Sequence, residues 1–261
     1  MAAATVTLTV LGARGSMPVS GENYLQFGGN TSCYLLRQGQ HALFLDAGTG
    51  LMHAPDLEGD IHILLTHTHI DHILGLPMYR VLLQEGRTVH IYAMPHASGS
   101  VQEQLQCLIA PPLWPVTLSE YPSDIHLHDL TQPFSSGPFV IDWIPSHHPG
   151  GSVIYGIRCG EKRIVYATDY SHQGDSAAGL IAFSRDADLL LYDAQYTVEM
   201  FENRPGFGHS TAEMGRMVQQ EAHVKQLLLV HHDPGSTDVM LQRREQALGV
   251  TYAREGVLIT L

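Results

Sequence analysis

The chain has 261 residues, 44% of them hydrophobic, which suits one large α/β domain with a sizeable core. No apolar run approaches the ~20 residues of a membrane helix, and Cys33, Cys107 and Cys159 are too few and too far apart for a disulfide scaffold. Fourteen Lys and Arg against 26 Asp and Glu leave a formal charge of −12, without the basic stripe that grips duplex nucleic acid.

Met1-Ala2-Ala3-Ala4-Thr5-Val6 has no basic region ahead of an apolar stretch, so no secretory signal is expected. The expected setting is a reducing cytoplasm. Apolar runs predict strands at Thr5–Leu11, Thr31–Arg37, Ala42–Asp46, Ile61–Thr66 and Thr88–Ala93. Further strands are predicted at Ile125–His128, Phe139–Ile144, Val153–Cys159, Arg163–Ala167, Asp188–Tyr192, Gln226–Val230 and Val257–Thr260. Helical spacing predicts helices over Leu76–Gln84, Ser100–Leu108, Ser176–Ser184, Thr211–Ala222 and Thr237–Ala247, the fourth capped by Ser210 or Thr211. Strands dominate the first half and alternate with helices after about residue 160. Two sheets packed face to face, with helices outside, satisfy that order. The proline-containing stretch Met94–Glu120 breaks the rhythm and reads as an insertion: a lid, a dimer contact or an ordinary surface excursion.

Seventeen histidines outnumber the 14 Lys and Arg together, and imidazole is the commonest metal ligand. Their spacing is informative. His67-Thr68-His69-Ile70-Asp71-His72 places four potential ligands within six residues directly after a buried strand. In extended backbone His67 and His69 point the same way, and a turn would bring Asp71 and His72 to a second position. Such N and O ligands suit Zn²⁺ first, with Mn²⁺ or Fe²⁺ as alternatives. His147-His148, Asp169 and His231-His232 each follow a later predicted strand, where loops from one sheet edge converge. A two-metal site needs a bridging carboxylate, and Asp169 is the natural one.

With these residues in place the chain resembles a metallo-β-lactamase-fold hydrolase, carrying that superfamily's HxHxDH loop followed by His, Asp and His at later strand ends. The resemblance covers nearly the whole length and implies a single domain, a four-layer αββα sandwich with a binuclear site on one edge. Carried over by residue, His67, His69 and His148 would hold one metal. Asp71, His72 and His231 would hold the other, with Asp169 between them. His148 is preferred over His147 because His148-Pro149-Gly150-Gly151 matches the relatives' motif. His231 is preferred over His232 because it directly follows the apolar strand. The second member of each pair is expected close behind the ligands. Asp46, in Leu45-Asp46-Ala47-Gly48-Thr49-Gly50, matches a group that orients the metal loop.

Three local features point to a branch. Phe207-Gly208-His209-Ser210-Thr211 is similar to the His-Ser-Thr element of ribonuclease Z and its phosphoribosyl cyclic phosphodiesterase relatives, where the His contacts phosphate and can protonate the leaving oxygen. The Gly-rich turns Leu11–Ser16 and Gly28–Cys33 carry Arg14, Ser16, Asn30 and Thr31, which could place donors around an anion, although such turns also simply connect strands. Only 20 residues separate His148 from Asp169, too few for the tRNA-gripping arm of long-arm bacterial ribonuclease Z. The resemblance therefore implies a binuclear phosphodiesterase of small cyclic phosphodiesters, such as cyclic nucleotides or a ribose cyclic phosphate. A hydroxide between the metals would attack phosphorus, Asp71 would orient it or accept its proton, and His209 would stabilise the developing charge or protonate the leaving alkoxide. A lactonase or other carbonyl-ester hydrolase, and an RNA-end-processing nuclease, are the alternatives. Tyr196, Phe207 and Trp114 are candidates for stacking on a base, with a core or interface role the favoured alternative for each. Relatives are often homodimers, so a homodimer is expected, with no membrane partner.

Overall fold

The computed structural model describes residues 5–96, 99–172, 175–204 and 206–261. Met1–Ala4, expected to hold no signal, lie outside the described residues, as do two positions of the Met94–Glu120 stretch. Among the described residues the strands form two sheets. In the first, β1 (Val6–Gly12), β2 (Cys33–Gln38), β3 (His41–Leu45), β4 (Ile61–Leu64), β5 (Thr88–Ala93) and β6 (Asp124–Asp129) lie side by side in chain order. In the second, β7 (Phe134–Ser136), β8 (Phe139–Ser146), β9 (Ser152–Cys159), β10 (Lys162–Ala167), β11 (Leu189–Asp193) and β12 (Gln226–Val230) do the same. A last strand, β13 (Leu258–Thr260), pairs outside β1.

Side-chain alternation sorts the apolar residues into layers. On β2, Tyr34 and Leu36 enter the core between the sheets, where they join Ile157 of β9 and Tyr166 of β10. Cys33 and Leu35 face the other way, into an outer core with Leu51, Tyr79 and Leu82. On β10, Val165 and Ala167 face a third core containing Leu180, Val218 and Leu241. Those three lie on α3 (Asp175–Phe183), α5 (Ala212–Glu221) and α6 (Asp238–Leu248). The remaining helices are α1 (Ile70–Ile73), α2 (Val101–Gln106) and α4 (Val198–Asn203). The expected four-layer sandwich is present. Thr211 and Thr237 cap α5 and α6 by accepting from the amides of Met214 and Met240.

Topology sets where the loops meet. Strands β1 and β3 run the same way because each is antiparallel to β2, and β4 is parallel to β3. Likewise β8 and β10 are both antiparallel to β9, with β11 and β12 parallel to β10. The loops after β1, β3, β4, β8, β10, β11 and β12 therefore leave from one edge of the sandwich. There Tyr155 Oη donates to the Leu65 carbonyl at 2.8 Å, tying the two sheets together.

Some elements differ from expectation. Leu76–Gln84 is not an α-helix but a 3₁₀ turn at Leu76–Met78 continued by i→i+3 bonds from Leu82, Leu83 and Gln84. Pro77 cannot donate, and burying Leu76, Tyr79 and Leu82 together demands a three-residue period. The three-residue β7 and the short α1 and α4 were not anticipated. The Met94–Glu120 stretch packs down: Val101, Leu105 and Ile109 are buried in the outer core, with Trp114 and Val116 against it.

Candidate metal centre

The ligand-rich loop leaves β4 with its geometry fixed by Asp46. That residue sits just past β3 at φ 58°, a left-handed conformation that Asp adopts more readily than most residues. Its carboxylate accepts from the Thr66 amide at 2.7 Å, from Tyr166 Oη at 2.6 Å and from His72 Nδ1 at 2.7 Å. The His72 ring is thereby locked with Nε2 turned away from Asp46, the orienting role its motif implies. On the other side, Thr68 Oγ1 donates to Gln104 Oε1 at 2.8 Å, so α2 braces the same loop.

Asp169, just past β10, stands between two sets of imidazoles. Its Oδ1 lies 3.8 Å from His67 Nε2 and 3.6 Å from His148 Nε2, while Oδ2 lies 3.0 Å from His72 Nε2 and 3.1 Å from His231 Nε2. One ligand atom each from His67, His69, His148 and Asp169 falls within a 4.8 Å span, and so do atoms of Asp71, His72 and His231. These are the two sets named in the sequence. His69 and His148 bring Nδ1 and Nε2 to 3.1 Å of each other, and His148 Nδ1 is held at 3.0 Å by the Gly208 carbonyl. A Cβ at Gly208 would lie 2.2 Å from His148 Nδ1, and its φ is +86°, so only glycine fits.

The donor set fits divalent cations. His72 gives its Nδ1 proton to Asp46, so in the neutral ring Nε2 carries a lone pair. That lone pair faces carboxylate oxygens of Asp71 and Asp169 at 3.2 and 3.0 Å. Lone pairs so disposed repel unless a proton or a cation lies among them. Nε2 of His67 and of His72 are buried without a hydrogen-bond partner, which is costly unless something positive takes them. Burial works against charging the His72 ring, yet Asp71, Asp169 and Asp46 raise its pKa well above the ordinary value. His231 is likewise raised to about 9, against burial, by Asp169 and Asp71. Burial would raise the carboxylates, but His72 and His231 hold Asp71 well below its usual range. The centre therefore seeks positive charge that divalent ions can supply.

A carboxylate that the sequence reading did not single out, Asp193 at the end of β11, lies buried behind the cleft. Its Oδ2 is 2.9 Å from His209 Nδ1, and the His209 ring stacks on His231 with centroids 5.0 Å apart. The signal was available: Asp193 ends a continuous apolar run, as Asp169 does. His209 lines a cleft of about 400 Å³ with Ser16, His69, Asp71 and Phe207.

The remaining residues expected near the centre are placed as follows. The Ser16 amide donates to Asp71 Oδ2 at 2.7 Å. Arg14 is buried, giving Nε to the Gly28 carbonyl at 2.8 Å and Nη1 to the Ser236 carbonyl at 2.7 Å. Asn30 is bound to Glu255, and Thr31 exchanges hydrogen bonds with Thr49. These three tie loops together, and none lines the cleft. His147 is exposed and borders the neighbouring hollow near Ser171. His232 is buried and bonds the Ala253 carbonyl at 2.8 Å. Tyr196 packs edge-on to His209, Trp114 belongs to the outer core, and Phe207 stands 64% exposed at the cleft mouth.

Residues 7–232 match the Beta-lactamase superfamily domain. The probable metallo-hydrolase YhfI of Bacillus subtilis is 30% identical over 237 residues, covering 86% of this chain and 86% of its own. Its crystal structure superposes with a TM-score of 0.72, at 22% identity in the superposition, over 99% of this chain and 100% of that one. Ribonuclease Z of Haloarcula marismortui is 24% identical over 283 residues, covering 87% of this chain and 86% of its own. A diphosphatase from the PhnP family superposes with a TM-score of 0.69, at 20% identity, over 97% of each chain.

Proposed function

The chain belongs to the β-lactamase superfamily as a metal-dependent hydrolase; from that premise we propose that it sits in the ribonuclease Z-like and PhnP-like branch and hydrolyses small phosphodiesters at a two-metal centre. Cyclic nucleotides or a ribose cyclic phosphate are the proposed substrates. The observation that carries the reading is His209, which faces the cleft with Nδ1 held 2.9 Å from Asp193, beside the Asp169 carboxylate. Such a group has a use when the leaving group is an alkoxide that needs a proton.

His67, His69, His148 and Asp169 would hold one ion, and Asp71, His72, His231 and Asp169 the other, with Zn²⁺ the first choice and Mn²⁺ or Fe²⁺ alternatives. Two such ions supply Lewis acidity, drawing charge from phosphoryl oxygens and making water more acidic. The chain's own groups do the rest. Asp71, its Oδ2 fixed by the Ser16 amide at 2.7 Å, orients the attacking water, which gives its proton up to solvent as its oxygen bonds phosphorus. Asp193 accepts the Nδ1 proton of His209, so Nε2 is the atom that protonates the departing oxygen when the P–O bond breaks. Ions in the cleft would also make it locally positive inside an acidic chain, which suits an anionic substrate.

The test is His209→Ala. Phosphodiester turnover falls by about 10²–10⁴-fold, the usual contribution of a positioned proton donor, while metal content stays at the wild-type value. Unchanged turnover with unchanged metal would remove His209 from the reaction and favour the carbonyl-ester alternative.

A further inference from the structure

A second group of imidazoles lies along β4, β5 and β6, outside the lining of the cleft. Alternation puts Ile61, Ile63, Val89 and Ile91 into the outer core and turns His62, His90, His126 and His128 to the opposite face. In most sandwiches that face would carry apolar residues covered by the second sheet. Here it carries a ladder of partly exposed rings ending on the edge strand β6. His62 stacks on His90 and His90 on His126, each pair with centroids 4.9 Å apart.

We propose that this ladder is a further metal site, centred on the His90–His128 pair with His126 turning in as third ligand, selective for imidazole-seeking divalent ions such as Cu²⁺, Ni²⁺ or Zn²⁺. For this pair the geometry is preformed, whereas His126 stacks on His90 and has to turn to bring a nitrogen to the ion. His90 Nδ1 and His128 Nε2 face each other at 3.0 Å. Two imidazole nitrogens about 2.0–2.1 Å from one metal stand about 2.9–3.4 Å apart, from square-planar to tetrahedral geometry. His126 and His128 project from one strand at i and i+2, on one face. Asp124 Oδ2 holds His126 Nε2 at 2.9 Å, which leaves Nδ1 as the free donor, the carboxylate–histidine arrangement that fixes many ligating rings. Burial, then repulsion from His126 on His90 and from His90 on His128, lowers both pKa values, which favours the neutral, ligating rings. Solvent positions are open, since His126 is 44% exposed.

The experiment compares Cu²⁺ uptake by the Zn²⁺-loaded wild type and by a His90→Gln/His128→Asn double variant, using calorimetry and electron paramagnetic resonance. The site lies outside the hydrolytic cleft, so copper entering that cleft appears equally in both proteins and cancels. The wild type is expected to take up one more Cu²⁺ per chain, with hyperfine splitting from two or three nitrogens that the double variant lacks. Asp124→Asn, exposed on the edge strand and leaving every ring in place, weakens the extra site by about 10-fold and serves if the double variant does not fold. Equal uptake and identical spectra in wild type and double variant would overturn the assignment, as would unchanged affinity in Asp124→Asn.

Discussion

His209 Nδ1 lies 2.9 Å from Asp193 Oδ2, so the imidazole that faces the cleft is aimed by a carboxylate from the next strand end. Asp193 is itself fixed by the amide of Gln195 at 3.0 Å. Asp193→Asn replaces an acceptor by an amide that can present its NH₂ to His209, which misorients the ring or its tautomer. Turnover is expected to fall about 10- to 100-fold with metal content unchanged, read from steady-state kinetics and elemental analysis on one preparation. A matching loss of metal would assign Asp193 to the centre itself.

Asp46 accepts from Thr66, Tyr166 and His72 in a fully buried position. Asp46→Ala leaves those donors without a partner, each at about 1–3 kcal/mol, and releases the His72 ring. The variant should melt well below wild type and bind metal about 10- to 100-fold more weakly. Tyr166→Phe removes only one donor and should cost about 1 kcal/mol, with little effect on metal content. Competition against a chromophoric chelator distinguishes the two.

Much of this centre can be read along the chain, because a ligand cluster at a strand end is a local pattern. The HxHxDH loop, Asp46, His148, Asp169 and His231 each follow an apolar run, and the parallel strands bring those ends together. Arg14, Asn30 and Thr31 sit in equally suggestive turns, but their partners decide their use. Arg14 reaches the Ser236 carbonyl and Asn30 reaches Glu255, contacts between chain ends that no local pattern announces. His147 shows the limit of pairs: it stays on the surface while His148 turns to Gly208. Asp193 was missed because a lone Asp after a strand also reads as a turn former.

Metal-free protein should lose stability as pH rises. The folded pKa of His231 is raised to about 9 from 6.5, and His72 is raised too. A raised folded pKa contributes stability that is full below the unfolded value and is lost as pH climbs through the folded one. Thermal melts in chelator should therefore fall between pH 6.5 and about 9, whereas metal-loaded protein keeps its stability because ions replace those protons. His232 acts in the opposite range. Burial lowers it to about 3, so it is neutral when folded and destabilises the chain as pH falls below 6.5.

Gly208→Ala should empty one half of the centre. The added methyl would sit 2.2 Å from His148 Nδ1 at a φ of +86°, pushing His148 off the set it shares with His67 and His69. Elemental analysis should show metal lost while the fold, followed by circular dichroism, persists. Full metal content in a folded variant would contradict the assignment of His148.

Phe207 is 64% exposed at the cleft mouth, where a base could stack on it. Phe207→Ala should raise KM for a cyclic nucleotide about 5- to 150-fold, on the basis that one stacking contact is worth about 1–3 kcal/mol. KM for a ribose cyclic phosphate should not move, and kcat should hold for both. Equal effects on the two substrates would mean that Phe207 shapes the cleft without reading the base.

The central claim meets its most direct measurement in a hydrolysis panel run on purified protein, stripped and then reloaded separately with Zn²⁺ and Mn²⁺. The panel holds 3′,5′- and 2′,3′-cyclic nucleotides, a ribose cyclic phosphate, a chromogenic phosphodiester and a lactone. The account predicts cleavage of phosphodiesters that chelator abolishes and metal restores, with the lactone untouched. Turnover of the lactone without any phosphodiester cleavage would contradict it.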